Sequence, residues 1–195
     1  MKRIFGAGAL ACGILLAACS PGAAPGAAHA AAGGAPYLQG GQSVQELLDR
    51  GQAFATVGDL TRGEQYLSAA LRRGAEVRRV LPLLVHVCVE AGRYRVAADY
   101  VRAYLPDDPE NATLHMLSGL LEAAVGDRDV ARREYETVLR SHPDDSSAHF
   151  ALAILLRDAS ADARAADAHF REYLRLAPGG EHAAEARASL LEEMR

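Results

Sequence analysis

Lysine is nearly missing from this chain: Lys2 is the only one, and every other basic residue is arginine. Tryptophan is absent, aromatics make up 6% of the 195 residues, and the cysteines number three, Cys12, Cys19 and Cys88. Acidic residues exceed basic ones, for a formal charge of −4. A nucleic-acid binder advertises itself by a basic stripe, and none is visible here. There is no glycine-rich phosphate loop either: apart from Gly179-Gly180, the glycines of the folded part stand singly. After Ser43 the alternating β-branched pattern of strands is also missing, while apolar residues recur at helical spacing, so the folded part is expected to be all-α.

The beginning of the chain reads differently. Lys2 and Arg3 give a positive start, Ile4 to Ala18 is uncharged and mostly small or apolar, and a Gly/Ala/Pro tract follows. That order is a secretory signal pattern. A membrane span needs about 17 to 25 apolar residues and anchoring flanks, whereas this run is short and interrupted by glycine. At its end stands Leu16-Ala17-Ala18-Cys19, which resembles the lipobox of bacterial lipoproteins. The resemblance implies cleavage before Cys19 and a covalent diacylglycerol and N-acyl lipid, such as palmitate, on that cysteine. No other cofactor is expected. Residues 1–18 would be the signal, and its loss with Lys2 and Arg3 would take the formal charge to −6. With Cys12 removed and Cys19 acylated, Cys88 has no partner for an internal disulfide. Residues 19–43 carry too little side-chain area to offset their own ordering and are expected to form a flexible tether.

From 44 onward the chain repeats. Gly58, Gly92 and Gly126 are spaced by 34 residues, and so are Pro109 and Pro143. Five residues after each glycine stands a small residue, Gly63, Ala97 and Ala131; nine and twelve after stand Leu67 and Ala70, Val101 and Tyr104, Tyr135 and Val138. Seven before come Gly51, Val85 and Gly119. Four before come Phe54, Cys88 and Glu122, of which the glutamate does not suit a core. A fourth unit, 145–178, keeps His149, Leu152, Ala153 and Leu156, then Ala166, Phe170 and Tyr173, with one residue inserted at its turn. This 34-residue period with a turn glycine between two helices resembles the tetratricopeptide repeat. The resemblance implies a right-handed solenoid of about four helix pairs over 44–180, closed by a capping helix over 181–195 with Ala184, Ala188 and Leu191 on its buried side.

In that family a peptide or helix of a partner usually lies along the concave wall formed by the first helix of each pair. Counting along those helices, the residues left over from packing are Leu48, Gln52 and Thr56; Arg79, Leu83, His86 and Glu90; Met116 and Leu120; Phe150, Ile154 and Arg157. A register shifted by one position would instead make Leu83, Leu120, Phe150 and Ile154 core residues. His115 and His149 recur at the repeat period, but equivalent positions on stacked helices lie about 10 Å apart, too far for one zinc ion with bonds of about 2 Å. Cys88 sits in the apolar run LPLLVHVCV and reads as a small hydrophobe rather than a nucleophile. The acidic pairs Asp107-Asp108 and Asp144-Asp145 read as helix caps.

The function expected is therefore non-enzymatic: a lipid-anchored periplasmic adaptor or assembly factor that binds an envelope protein or peptide in the groove, for example in pilus, secretin or outer-membrane assembly. Ser20, directly after the lipidated cysteine, points to the outer membrane of a Gram-negative cell. Two alternatives remain, a self-assembling structural envelope protein and a helical cell-wall enzyme. Membrane contact would come through the lipid alone.

Overall fold

The computed structural model describes residues 41–158 and 162–190. The expected signal, Cys19, the expected tether up to residue 40 and Leu191 lie outside the described residues.

Eight helices form four antiparallel pairs: α1 (Val44–Thr56) with α2 (Leu60–Arg72), α3 (Val77–Glu90) with α4 (Tyr94–Tyr104), α5 (Ala112–Val125) with α6 (Arg128–Ser141), and α7 (Ser146–Asp158) with α8 (Ala163–Leu176). Each pair packs on the next, and a short α9 (Ala183–Ala188) packs on α8. No strand occurs among the described residues.

Local sequence sets the helix ends. At the first, Ser43 Oγ accepts from Glu46 N at 3.2 Å while the Glu46 carboxylate accepts from Ser43 N at 2.7 Å, a reciprocal cap that satisfies two otherwise unpaired donors. Asp59, Asp127 and Asp162 each accept from the backbone N–H three residues on and start α2, α6 and α8. Arg93 stands at the corresponding place before α4, supplies no side-chain cap, and instead reaches back to Glu64 of α2 at 2.5 Å. Asp145 caps α7 as expected, its Oδ1 2.9 Å from Ala148 N. Before α5 the cap is Asn111, which Asp108 supports from 2.8 Å.

The turn glycines share one conformation, with φ of +80°, +69° and +89° at Gly58, Gly92 and Gly126. Only glycine adopts it without strain. The residue after each glycine donates back to the fourth residue before it: Asp59 to Phe54, Arg93 to Cys88 and Asp127 to Glu122, at 2.8–2.9 Å. The carbonyl four before the glycine, two or three residues inside the end of each first helix, thus accepts the bond that closes the turn.

Packing within pairs follows side-chain size. Gly51 leaves room for Leu67, whose Cγ would lie 2.8 Å from a Cβ placed there. Gly119 leaves room for the Tyr135 ring in the same way, and more tightly. Ala97 and Ala131 are fully buried between paired helices, as their spacing predicts, and Leu67, Ala70, Val101, Tyr135 and Val138 are core. Tyr104 is half-buried at the edge of the first cluster.

The core divides in two. One cluster runs from α1 to α4 and takes Leu114, Leu117 and Leu121 of α5; the other runs from α6 to α9 and takes Met116 and Ala123 of the same helix. Glu122 lies beside that division. Sequence spacing marked it as unsuited to a core, yet it is 0% exposed, because Arg102 of α4 reaches in and binds its carboxylate. The capping helix also departs from expectation. It is six residues long and buries Ala183 and Ala186, whereas Ala184 and Ala188 face outward. Tyr173 fixes this rotation, its hydroxyl accepting from His182 N at 3.0 Å.

Candidate partner-binding surface

The first helices α1, α3, α5 and α7 carry the predicted wall. At the 34-residue period, Gln52, His86, Leu120 and Ile154 occupy one row, polar on the first two helices and apolar on the last two. Gln52 and His86 are exposed, Leu120 is 49% exposed and Ile154 is half-buried against the second core.

At the polar end of this row, α1, α2 and α3 enclose an open depression of about 470 Å³ lined by Gln52, Ala55, Thr56, Leu67, Leu83, His86, Val87 and Glu90. Its floor is apolar: Leu67 and Val87 are fully buried core residues that lie directly beneath it, and Leu83 is half-buried beside them. Polar groups form its rim. His86 Nε2 lies 3.4 Å from Glu90 Oε1 one helical turn away, and the Thr56 hydroxyl donates to Gln52 O at 2.9 Å. An apolar floor under a few polar groups can take an apolar side chain while the rim pairs with backbone or polar groups.

Of the predicted wall residues, the structure brings Gln52, Thr56, Leu83, His86 and Glu90 to this one depression. Arg79 is exposed on the same helix. Leu48 is a correction: it is 3% exposed and belongs to the first core. Its equivalents two and three repeats further along, Met116 and Phe150, also pack inward, against the second cluster. Phe150 stacks face to face on His182, with centroids 4.1 Å apart and planes 7° from parallel. Arg157 donates to Ser189 Oγ at 2.8 Å and lies 3.5 Å from Glu185. The C-terminal segment thus engages two residues that sequence counting placed on the wall. Counting missed Ala55, Leu67 and Val87 on the floor; Leu67 was legible as core, and nothing in its spacing says that a core residue also underlies an open depression.

The remaining candidate chemistry resolves into packing. Cys88 is fully buried; burial, and then the Glu64 carboxylate, pushes its thiol up to about 12, so at neutral pH it is protonated. Tyr100 is pushed up to about 12 by burial and then by Glu64, to which its hydroxyl bonds at 3.2 Å. Among the described residues no three potential metal ligands come together, and no helix is long and apolar enough to cross a membrane. His115 and His149 point to different partners. Each bonds to the second helix of its own repeat, His115 Nδ1 to Glu134 at 2.6 Å and His149 Nδ1 to His169 Nδ1 at 2.9 Å.

Comparison with known proteins agrees with this geometry. A family model described as the tetratricopeptide repeat matches residues 48–112 and 116–181. Among solved structures, the chain is similar to YrrB, described as a tetratricopeptide repeat protein with an unusual peptide-binding site: TM-score 0.64, 16% identity, 75% of each chain covered. It is similar to a tetratricopeptide repeat protein from Parabacteroides merdae, with TM-score 0.66, 23% identity, and 76% of this chain covered against 59% of that one. It is also similar to MamA from Desulfovibrio magneticus, with TM-score 0.61, 18% identity, and 71% and 78% covered. At these identities the likeness is one of fold. None of the curated proteins compared with the chain matches it.

Proposed function

Because the chain belongs to the tetratricopeptide repeat family, whose fold supports binding of proteins or peptides, we propose that it is a lipid-anchored adaptor of the bacterial envelope that holds a peptide or helix of an envelope protein against its inner wall. The observation that carries this reading is the depression between α1, α2 and α3, with Leu67, Leu83 and Val87 beneath Gln52, His86 and Glu90. It sits on the helices that line the inside of such an array, and its mixed lining suits a segment with one apolar anchor and polar neighbours. That YrrB is described as having a peptide-binding site is in keeping with it. The anchor rests on the sequence alone, on the order basic start, apolar run and Leu16-Ala17-Ala18-Cys19, and Ser20 supports delivery to the outer membrane with the repeats facing the periplasm.

The test is recovery of crosslinked envelope complexes with full-length protein, a Cys19→Ser variant and a His86→Ala/Glu90→Ala variant, together with radiolabelled palmitate incorporation. The expected result is label on the parent and none on Cys19→Ser, the same partner recovered by both, and loss of that partner from the groove variant. Recovery that survives the groove substitutions and disappears with Cys19→Ser would overturn the groove assignment. A concentration-dependent oligomer without any other protein would favour self-assembly instead, and release of wall fragments by the purified protein would favour an enzyme.

A further inference from the structure

One structural position differs in chemistry from repeat to repeat. At the 34-residue period the first helices carry Leu47, Leu81, His115 and His149; the second helices carry Tyr66, Tyr100 and Glu134, and, after the inserted residue, His169. The two histidines of the first helices are oriented alike. His115 Nε2 lies 2.9 Å from Pro109 O and His149 Nε2 lies 2.9 Å from Pro143 O. A carbonyl only accepts, so in both rings Nε2 carries the proton and Nδ1 is the atom turned to the second helix.

What Nδ1 meets there is opposite in the two repeats. In the third it meets the Glu134 carboxylate at 2.6 Å, which accepts only, so the bond forms when His115 carries two protons. In the fourth it meets His169 Nδ1 at 2.9 Å, so the bond forms when His169 donates to an unprotonated Nδ1 and fails when both nitrogens carry hydrogen. We propose that the fourth repeat is an acid-sensitive element of the array, its α7–α8 contact held by a single proton shared between His149 and His169, while the third repeat is tightened by acid through His115 and Glu134.

The surroundings act in the same direction. Burial, then the neighbouring His149, holds His169 below its ordinary 6.5, with Arg132 adding to the effect and Glu136 and Glu172 opposing it. Arg132 and Glu136 face it from α6, where they bind each other at 2.7 Å; Glu172 of α8 is bound by Arg175, which also reaches Asp144 in the loop before α7 at 3.3 Å. Both nearby carboxylates are thus committed to arginines. At His115 burial disfavours the charged ring, but Glu134, the Pro109 carbonyl and Glu110 outweigh it and raise its pKa. For His169 the unfolded chain takes up a proton that the folded one refuses, so stability falls as pH drops below about 6.5. For His115 the folded chain binds the proton more tightly, so its contribution is full below that value and fades as pH rises. This inference does not rest on the adaptor reading.

The test is amide hydrogen exchange of the full-length protein at pH 7.5 and 5.5, with protection factors corrected for intrinsic rates and compared between α7–α8 and α1–α4. Protection in α7–α8 is expected to fall relative to α1–α4 by up to about tenfold, the limit that one excluded proton sets over one pH unit. His169→Glu copies the pairing of the third repeat and should reverse the sign; His149→Leu with His169→Tyr copies the first and should abolish the effect. An equal fall in both halves, or an unchanged fall in His169→Glu, would overturn the proposal. Imidazole nitrogen shifts of the unmodified protein provide a reading independent of variant folding: at pH 7.5 His149 should be protonated at Nε2 and His169 at Nδ1, and two doubly protonated rings at pH 6.5 would likewise overturn it.

Discussion

The first two repeats carry Leu47 with Tyr66 and Leu81 with Tyr100 where the last two carry His115 with Glu134 and His149 with His169. The backbone plan is the same in both halves, down to the turn glycine bonds at Gly58, Gly92 and Gly126. A leucine on the first helix at this position asks for shape, whereas a histidine there fixes the number of protons present at the contact. The inner wall divides along the same line. In the first half it opens into the depression around Leu83 and His86, and in the second half Phe150 and Arg157 are engaged by His182 and Ser189 of the C-terminal segment. A repeat fold therefore keeps one architecture while its halves take different tasks: an accessible wall at one end and condition-dependent packing at the other.

The sharpest way to separate the halves is to strike the place where their cores divide. Arg102→Ala leaves the buried Glu122 carboxylate without its cation and is expected to cost about 3 kcal/mol, the low end for a broken buried pair because the arginine is half in water. Glu122→Leu, which copies Leu156 one repeat later, should be neutral or stabilising. Urea unfolding of the pair measures both, and equal losses would show that the seam needs the charge itself.

Next comes side-chain size. Gly119→Ala should cost about 1–3 kcal/mol by pressing on the Tyr135 ring, and Gly51→Ala less, because the Leu67 side chain that it meets can shift. Tyr135→Val in the Gly119→Ala background should recover part of the loss, as the Val85 and Val101 of the second repeat suggest. Thermal unfolding checks the order, and a reversed order would contradict the packing described. Ala97→Leu and Ala131→Leu should each cost a similar about 1–3 kcal/mol, since both methyls are fully enclosed.

A smaller effect is expected at the helix starts. Asp127→Ala removes the cap of α6 and should cost about 1 kcal/mol. The equivalent place in the second repeat has no side-chain cap to lose, so Arg93→Ala should act through Glu64 and not through helix initiation. Far-ultraviolet dichroism during urea unfolding would register either change.

The smallest effect belongs to the wall itself. Leu120→Glu should leave stability within about 0.5 kcal/mol because that side chain is half in solvent. Leu83→Glu should be measurably worse, since Leu83 packs on the first core as well as facing the depression. Equal costs would put Leu120 in a contact that its exposure does not reveal.

The sequence by itself determined the architecture. A 34-residue period, a glycine that alone tolerates the turn and a small residue five positions later are local constraints, and each leaves its mark in single residue types. Cys88 as core and Asp145 as a cap were legible for the same reason. Rotation and partnership were not. Leu48 and Gln52 are four residues apart on one helix face, and only the neighbouring pair decides that the first is covered and the second is not. Glu122 reads as a misfit until Arg102, twenty positions earlier, is seen to reach it. The capping helix rotates to Ala183 and Ala186 because Tyr173 holds His182, and His149 finds His169 across an inserted residue that the repeat period hides. Tertiary structure decided these because burial and pairing belong to the space between helices, where distance along the chain gives no measure of contact.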